Sequence, residues 1–211
     1  MEISGMRKNY SLKVLDENHI KRSPIEQFRI WLEEACEVKA IEPTAMVLAT
    51  ATSDGIPSIR VVLLKDYSIN GFVFFTNYSG RKGREIELNP KVALLFHWPE
   101  LERQVRIEGV ASKTSASVSD EYFNSRPLES RLSAMISRQS EAVHDREYLE
   151  KLWREKQIES IGKNLARPSF WGGYIVEPIN FEFWQGRSNR LHDRIIFLKK
   201  GTEWVISRLA P

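Results

Sequence analysis

The hydrophobic and polar positions predict one well-defined helix after a polar amino-terminal stretch. Residues 1–22 are polar with little periodicity, which predicts a mobile arm. The sequence Ser23-Pro24-Ile25-Glu26 is typical of a capped helix start, because serine caps free amides and proline suits the first turn. Apolar residues at helical spacing continue to Ala35, so we expect this helix to pack one face on a core.

The rest of the chain changes to short strands with inserted helices. Most of the strand-like runs are separated by turn sequences such as Asn70-Gly71. Strands are predicted at Ala45–Ala51, Ser58–Lys65, Phe72–Thr76, Val92–Trp98, Gln104–Ala111, Gly173–Val176, Asn180–Trp184, Leu191–Leu198 and Trp204–Leu209. Helices are predicted at Ser79–Asn89, Ser119–Ser125, Leu128–Ser137 and Asp145–Ser160. Short strands joined by tight turns favour an antiparallel sheet, and this number of them favours closure into a barrel.

Composition narrows the class of protein. The 211 residues, 42% hydrophobic and 28% charged, exclude a disordered chain, a collagen and a coiled-coil rod, and favour a single domain over residues 23–211. No apolar run is long enough for a membrane span, and the amino terminus lacks the apolar region of a secretory signal. The one cysteine, Cys36, excludes an internal disulfide framework, is expected to be a small buried hydrophobic residue, and favours a cytoplasmic protein.

Charge and histidine usage give no reason to expect nucleic acid or metal. The net charge of +3 is close to balance, and the histidines show no metal-ligand spacing. Local clusters of cations therefore carry more information than the total charge.

The richest cluster follows Trp184-Gln185. A strand that began at Arg190 would place Arg190, His192 and Arg194 on one face, since side chains alternate along a strand. Burying such a face unpaired would be costly, so it meets either bulk water or an anionic, planar partner. The neighbouring tryptophan and amide favour a heteroaromatic ligand.

Two further groups of polar residues are suited to phosphate. Alternation sends Arg60 and Lys65 to opposite faces of one strand, as separate partners would require. At Thr76–Gly83 a strand ends and a helix begins, so free amides, hydroxyls and two cations meet. A solvated basic turn remains the alternative for this segment.

A third group surrounds a helix break. Tyr122, Arg126 and Ser130 would share one face of an unbroken helix, but Pro127 is expected to break it. Phenol, guanidinium and hydroxyl still fall close together and suit a second phosphate. A plain polar helix edge is the alternative.

Several segments resemble the pyridoxamine/pyridoxine 5′-phosphate oxidase family, in family order from about Arg7 to the last residue. The NRLHDR block and the RLAP ending are the most specific. The resemblance rests on RVVLLK at 60–65, FTNYSGRK at 75–82, LERQV at 101–105, YFNSRP at 122–127, SRQS at 137–140, WQGRSNRLHDR at 184–194 and RLAP at 208–211.

The resemblance implies a mainly-β fold with inserted helices, the FMN-binding split β-barrel, in a homodimer with FMN at the subunit interface. It implies oxidation of pyridoxamine 5′-phosphate or pyridoxine 5′-phosphate to pyridoxal 5′-phosphate, with O2 as acceptor and H2O2 as by-product. Neither nucleic acid nor a membrane is an implied partner, and no metal is implied.

The resemblance also implies roles for individual residues. Arg190, His192 and Arg194 are the candidate catalytic residues. Arg194 would place a cation beside the flavin, and the other two would hold the pyridine ring. Cofactor contacts are implied for Arg60, Val61, Val62, Leu63, Leu64, Lys65, Phe75, Thr76, Arg81, Lys82, Gln104, Gln139, Ser140, Trp184 and Arg194. Substrate contacts are implied for Arg7, Tyr10, Lys65, Tyr122, Arg126, Ser130, Arg190, Leu191 and His192.

The chain departs from the family pattern at two places. Phe75 stands where tyrosine is common, and Arg187-Ser188 where Gln-Thr is common. Three alternatives remain open: a sibling split-barrel flavin oxidase such as one of the phenazine pathway, a non-catalytic flavin or pyridoxal phosphate binder, and a nucleic-acid module. The complete substrate-phosphate set argues against the first.

Overall fold

The computed structural model describes residues 2–6 and 8–211 and consists of one antiparallel sheet with helices around it. The helices are α1 (Pro24–Glu37), α2 (Arg81–Leu88), α3 (Ala116–Ser125), α4 (Leu128–Ile136) and α5 (Arg146–Glu159). The strands are β1 (Ala45–Ala51), β2 (Pro57–Leu63), β3 (Asp66–Ser68), β4 (Gly71–Asn77), β5 (Lys91–Trp98), β6 (Arg103–Lys113), β7 (Trp171–Gln185), β8 (Asp193–Lys200) and β9 (Glu203–Arg208).

The sheet branches at its longest strand, β7. The strand order is β2-β1-β5-β6-β7-β4-β3, and β8 and β9 extend from β7 beside this path. The first part of β7, from Trp171 to Val176, pairs with β4, whereas Asn180–Gln185 pairs with β8. The two ends of β7 therefore lie beside different strands, β4 at one end and β8 at the other.

Aromatic side chains fill the main core. Phe28 on α1 lies within 4.9 Å, centroid to centroid, of both Phe72 and Phe96, so the helix packs directly on the sheet. A smaller cluster lies under α3 and α4, where Phe123 and Leu132 pack with Trp171. Burial of such rings is the main stabilising contribution to the fold.

Several predicted elements are confirmed. Ser23 caps α1 by accepting a hydrogen bond from the Glu26 amide, as the capping sequence predicts. Pro127 separates α3 from α4, and Arg126 has extended backbone geometry, as expected for a residue before proline.

Other predictions were wrong in informative ways. The segments predicted as separate strands at Gly173–Val176 and Asn180–Trp184 are one strand, β7. The register with β6 shifts between Glu108 and Gly109, which leaves Ile179 as an extra residue on β7, and this bulge accommodates Pro178 within the pairing. Cys36 is exposed rather than buried. The short strand β3 was not predicted.

The strand predicted from Leu191 begins only at Asp193. Residues Ser188–Arg190 form a 3₁₀ turn, in which Asn189 and Arg190 have positive φ angles of 58° and 61°. Arg190 and His192 therefore do not extend the strand face that carries Arg194, and the single-strand arrangement of these three residues is corrected.

Part of the amino-terminal stretch packs against the body, although most of its described residues are exposed. Leu15 and Ile20 are buried in the main core, although the polar sequence predicts a mobile arm. Within residues 2–6 and 8–211, no helix is both long and apolar enough to cross a lipid bilayer.

Candidate active site

A cavity of about 670 Å³ opens between β2, β4 and the α3–α4 junction. We call it the first cavity. Four cationic side chains line it, and among the described residues no carboxylate does. The cationic residues are Arg60, Lys65, Lys82 and Arg126. A cavity with this charge is suited to anions, phosphate groups above all.

One wall of the first cavity is a network at the end of β4 and the start of α2. Lys82 Nζ lies 3.1 Å from Thr76 Oγ1 and 2.6 Å from Gln139 Oε1. Burial, and then the nearby Arg60 cation, lower the pKa of Lys82 to about 8. An ammonium destabilised in this way gains most from a bound anion.

Glu85 on α2 binds several side chains behind this wall, and no sequence motif pointed to its role. Its buried carboxylate accepts hydrogen bonds from Ser58 and Thr50 and pairs with Arg60 and Arg81. Burial alone would raise the pKa of Glu85, but these hydroxyls and the Arg81 guanidinium outweigh it and hold the pKa at about 2. The carboxylate is thus ionised and orients the two guanidinium groups.

The opposite wall holds the second phosphate-type set. Tyr122, Arg126 and Ser130 all line the first cavity together with Lys65. Arg126 Nη1 is buried and has no hydrogen-bond partner among the described residues, and its guanidinium lies 4.7 Å from the centre of the Trp171 ring. A buried donor without a partner is costly, which favours an anionic ligand here.

Three aromatic rings also line the first cavity. Phe75 and Tyr122 are stacked with centroids 3.9 Å apart, and Trp171 lies nearly parallel to both. Asn77, which lies in the 75–82 motif but was assigned no contact, lines the cavity. Trp171 lines it too, although it lies in none of the motifs. An apolar start to a strand gives no signal that its first residue faces a ligand.

Arg60 lies on β2 and Lys65 follows the end of that strand. Both border the first cavity, although alternation predicts opposite faces for them. Val61, Val62 and Leu63 border it too. Leu64 does not, since its side chain is in the core and its amide donates to Thr44 O.

Arg81 and Ser140 lie beside the first cavity rather than in its lining. The Arg81 amide, at the start of α2, donates to Ser140 Oγ at 3.0 Å. The Arg81 guanidinium is held by Glu85.

A second cavity of about 600 Å³ lies at the turn between β7 and β8. Tyr10, Arg187, Arg190 and His192 line it, with Lys8 and other residues of the amino-terminal stretch. The Arg187 amide donates to His192 Nδ1 at 3.1 Å, which fixes the imidazole within the turn. Leu191 is exposed and is not in the lining.

Gln104, Trp184 and Arg194 form a row across β6, β7 and β8 close to the second cavity, because each is the register partner of the next. The Arg194 guanidinium donates to Glu182 Oε1 at 2.7 Å and to Ala210 O. Its positive charge is thus partly balanced by a buried carboxylate that the sequence analysis did not identify.

The residues that the resemblance assigns to the cofactor lie partly at the first cavity and partly at the β7–β8 end, and the same holds for the residues assigned to the substrate. Arg60 and Arg126 lie at the first cavity, whereas Arg194 and Arg190 lie at the β7–β8 end. Trp171 and Trp184 lie near opposite ends of β7, and roughly 40 Å of extended chain separates them. Arg7, the remaining candidate, lies outside the described residues.

Comparisons with known proteins show which family this chain matches. Residues 32–155 match the family described as pyridoxamine 5′-phosphate oxidase, and residues 171–211 match the pyridoxine 5′-phosphate oxidase C-terminal dimerisation region. A pyridoxine/pyridoxamine 5′-phosphate oxidase of Rubrobacter xylanophilus is 53% identical over 100% of this chain and 97% of its own. The corresponding protein of Trichormus variabilis is 51% identical over 99% of this chain and 98% of its own.

Two solved structures have the same fold. PhzG from Burkholderia lata 383, crystallised with tetrahydrophenazine-1-carboxylic acid, has a TM-score of 0.89 and 33% identity, over 95% of this chain and 100% of that one. A pyridoxamine 5′-phosphate oxidase-related, FMN-binding protein of Nostoc punctiforme has a TM-score of 0.70 at 12% identity, over 91% and 100% of the two chains. The mainly-β split-barrel fold is thereby confirmed.

Proposed function

Because this chain belongs to the pyridoxamine 5′-phosphate oxidase family, a family of oxidoreductases, we propose that it oxidises pyridoxamine 5′-phosphate or pyridoxine 5′-phosphate to pyridoxal 5′-phosphate. FMN is the proposed cofactor, O2 the electron acceptor and H2O2 the by-product. The single observation that carries the proposal is the first cavity, where two sets of phosphate-binding side chains face one space without a carboxylate among the described lining residues.

The donors in the first cavity fit a flavin phosphate and a substrate phosphate. Arg60, Lys82 and Thr76 present two cations and a hydroxyl at one wall, and we assign them to the FMN phosphate. Lys65 and Arg126, with their neighbouring hydroxyls, we assign to the substrate phosphate. The partnerless Arg126 Nη1 is the atom that such a phosphate would satisfy.

We propose that the second cavity of one subunit completes the first cavity of its partner. The match of residues 171–211 to a dimerisation region supports a homodimer, and these residues carry the entire β7–β8 turn. Oligomers of this kind are usually symmetric, so two equivalent composite sites would form.

The bound flavin would supply the redox chemistry, accepting a hydride equivalent from the C4′ carbon of the substrate and passing the electrons to O2. The residues of this chain then bind and orient. Phosphate anchoring by Arg126 and Lys65 fixes one end of the substrate, while Arg190 and His192 hold its ring. The Arg194 guanidinium brings positive charge beside the developing negative charge, moderated by Glu182.

The proposal is tested with the purified full-length protein and added FMN. We expect a flavin visible spectrum that bleaches on anaerobic addition of pyridoxamine 5′-phosphate, followed by H2O2 release when O2 is admitted. Unphosphorylated pyridoxine is the matched control and should react far more slowly, because it lacks the group that Arg126 binds. A flavin that stays oxidised with both phosphate esters, but is reduced by a tetrahydrophenazine carboxylate, would assign the chain to the sibling activity instead.

A further inference from the structure

Glu102 joins the amino-terminal stretch to the turn that carries the second cavity. It lies in the tight turn between β5 and β6 with a positive φ of 55°, and its side chain is only 3% exposed. A carboxylate this buried requires several hydrogen-bond donors. Within the part of the chain that the structure describes, the donors to this carboxylate come from residues 8–12.

The side chain of Glu102 binds the amino-terminal stretch at three points. Glu102 Oε2 accepts hydrogen bonds from the amides of Ser11 at 2.9 Å and Leu12 at 3.1 Å. Glu102 Oε1 lies 3.2 Å from Lys8 Nζ. Charge-assisted hydrogen bonds of this type are among the strongest in proteins.

The backbone of Glu102 binds the β7–β8 turn at the same time. Its carbonyl accepts the Gly186 amide at 2.8 Å and Gln185 Nε2 at 3.2 Å. A single residue therefore connects the two segments that line the second cavity.

These contacts place Tyr10 at a defined position. Its ring lies 5.7 Å from the Trp184 ring and 5.8 Å from the His192 ring, centroid to centroid. Ser188 Oγ donates to the Tyr10 carbonyl, and a Cβ at Gly186 would lie only 2.7 Å from the Tyr10 ring. Tyr10 is thereby a wall of the second cavity beside His192.

The ionisation of Glu102 is consistent with this connection. Burial alone would raise its pKa, but the donors from Leu12, Lys8 and Ser11 outweigh that effect and hold the pKa below the usual value for glutamate. The carboxylate therefore stays charged at neutral pH and binds these donors as an anion.

We propose that Glu102 is a positioning residue for the substrate ring: it holds residues 8–12 so that Tyr10 packs against His192 and closes the second cavity. The kinetic consequence of this inference rests on the proposed function. Glu102 itself is assigned no contact with the ligand. Its effect is transmitted entirely through the amino-terminal stretch.

The physical contact is tested without ligand or activity. Hydrogen exchange of the Ser11 and Leu12 amides is measured in the full-length protein by mass spectrometry. In Glu102→Ala we expect exchange at least about tenfold faster, because both amides lose a charged acceptor. Glu102→Gln keeps a neutral acceptor and should fall between the two. Glu100→Gln, an exposed carboxylate of the same turn, is the control and should leave protection unchanged.

The functional role is tested by a double-mutant cycle with Tyr10→Ala. We expect Glu102→Ala to raise the KM for pyridoxine 5′-phosphate several-fold, with FMN affinity unchanged and kcat less affected. In the Tyr10→Ala background the same substitution should add no further increase in KM, because the residue it positions is gone. Additive effects, or loss of FMN, would refute a role through Tyr10.

The two proposals fail in different ways. Unchanged amide protection in Glu102→Ala, with normal oxidase activity, removes the Glu102 proposal and leaves the function intact. A wild-type protein that does not oxidise either phosphate ester removes the proposed function, and with it the role of Glu102 in substrate binding.

Discussion

Buried carboxylates pair with individual arginines of the candidate site and orient them. Glu85 orients Arg60 and Arg81 at the first cavity, and Glu182 holds Arg194 near the second. Each acid is almost fully buried, so its partner guanidinium is held in place rather than free to follow solvent. A ligand phosphate therefore meets donors that are already oriented, which lowers the entropic cost of binding.

At this scale Lys82 gives a prediction about pH. Its pKa of about 8 means that the ligand-free side chain loses its proton as the pH rises through 8, whereas a phosphate dianion favours the ammonium. FMN affinity should therefore decline above pH 8, by at most about tenfold per pH unit. Fluorescence titration of FMN from pH 6.5 to about 9 measures this.

The matched variants for that titration are Lys82→Met and Lys91→Met. Lys82→Met should bind FMN more weakly with a flatter pH dependence, since the titrating group is removed. Lys91 is exposed on β5, away from the first cavity, and its substitution should leave the profile as in wild type. An equally steep decline in Lys82→Met would assign the titration to another group.

At the scale of elements, β7 determines where the two half-sites lie. It pairs with β6 from Tyr174 to Gln185 but changes its second partner from β4 to β8. The change occurs around Pro178, opposite Gly109, where the register shifts. The bulge thus lets one strand serve both branches of the sheet, and it puts Trp171 and Trp184 at opposite ends.

Gly109→Ala tests the importance of this bulge. A Cβ there would lie 2.4 Å from the Glu177 carbonyl oxygen and 2.8 Å from Val176 Cγ1, so the backbone must shift. We expect the free energy of unfolding to fall by about 1–3 kcal/mol. Urea denaturation of the FMN-free protein measures this change, with the same protein concentration used for every variant. Gly5→Ala, with open space around the new methyl group, should be close to neutral, and equal stability of the two variants would contradict the argument.

At the scale of the whole molecule, the composite site predicts complementation between subunits. Arg126→Ala should mainly raise the substrate KM, and Arg190→Met should retain FMN but lose turnover by about a hundredfold. These residues lie in different cavities. In a hybrid dimer of the two variants, one of the two sites would receive both intact halves.

The measurement is the activity of a mixture of the two variants, reassociated at equal concentration and assayed at substrate well below KM. Random pairing should restore about a quarter of wild-type activity, since half of the dimers are hybrids with one intact site each. Arg126→Ala mixed with Lys65→Ala is the control and should recover nothing, because both changes affect the same cavity. A lack of recovery in the first mixture would place both half-sites within one subunit.

The sequence by itself determined the approximate positions of most strands and helices, the capped start of α1 and the break at Pro127. Through short specific motifs it also determined the family. These features depend on local periodicity, backbone chemistry and residue identity. Tertiary structure decided the rest. The turn at Ser188–Arg190 replaced an apparently regular strand face, and the buried partners Glu85, Glu102 and Glu182 came from distant positions in the chain. A glutamate has no local signal that separates a solvated carboxylate from a buried one, because its burial is set by residues that only folding brings near it.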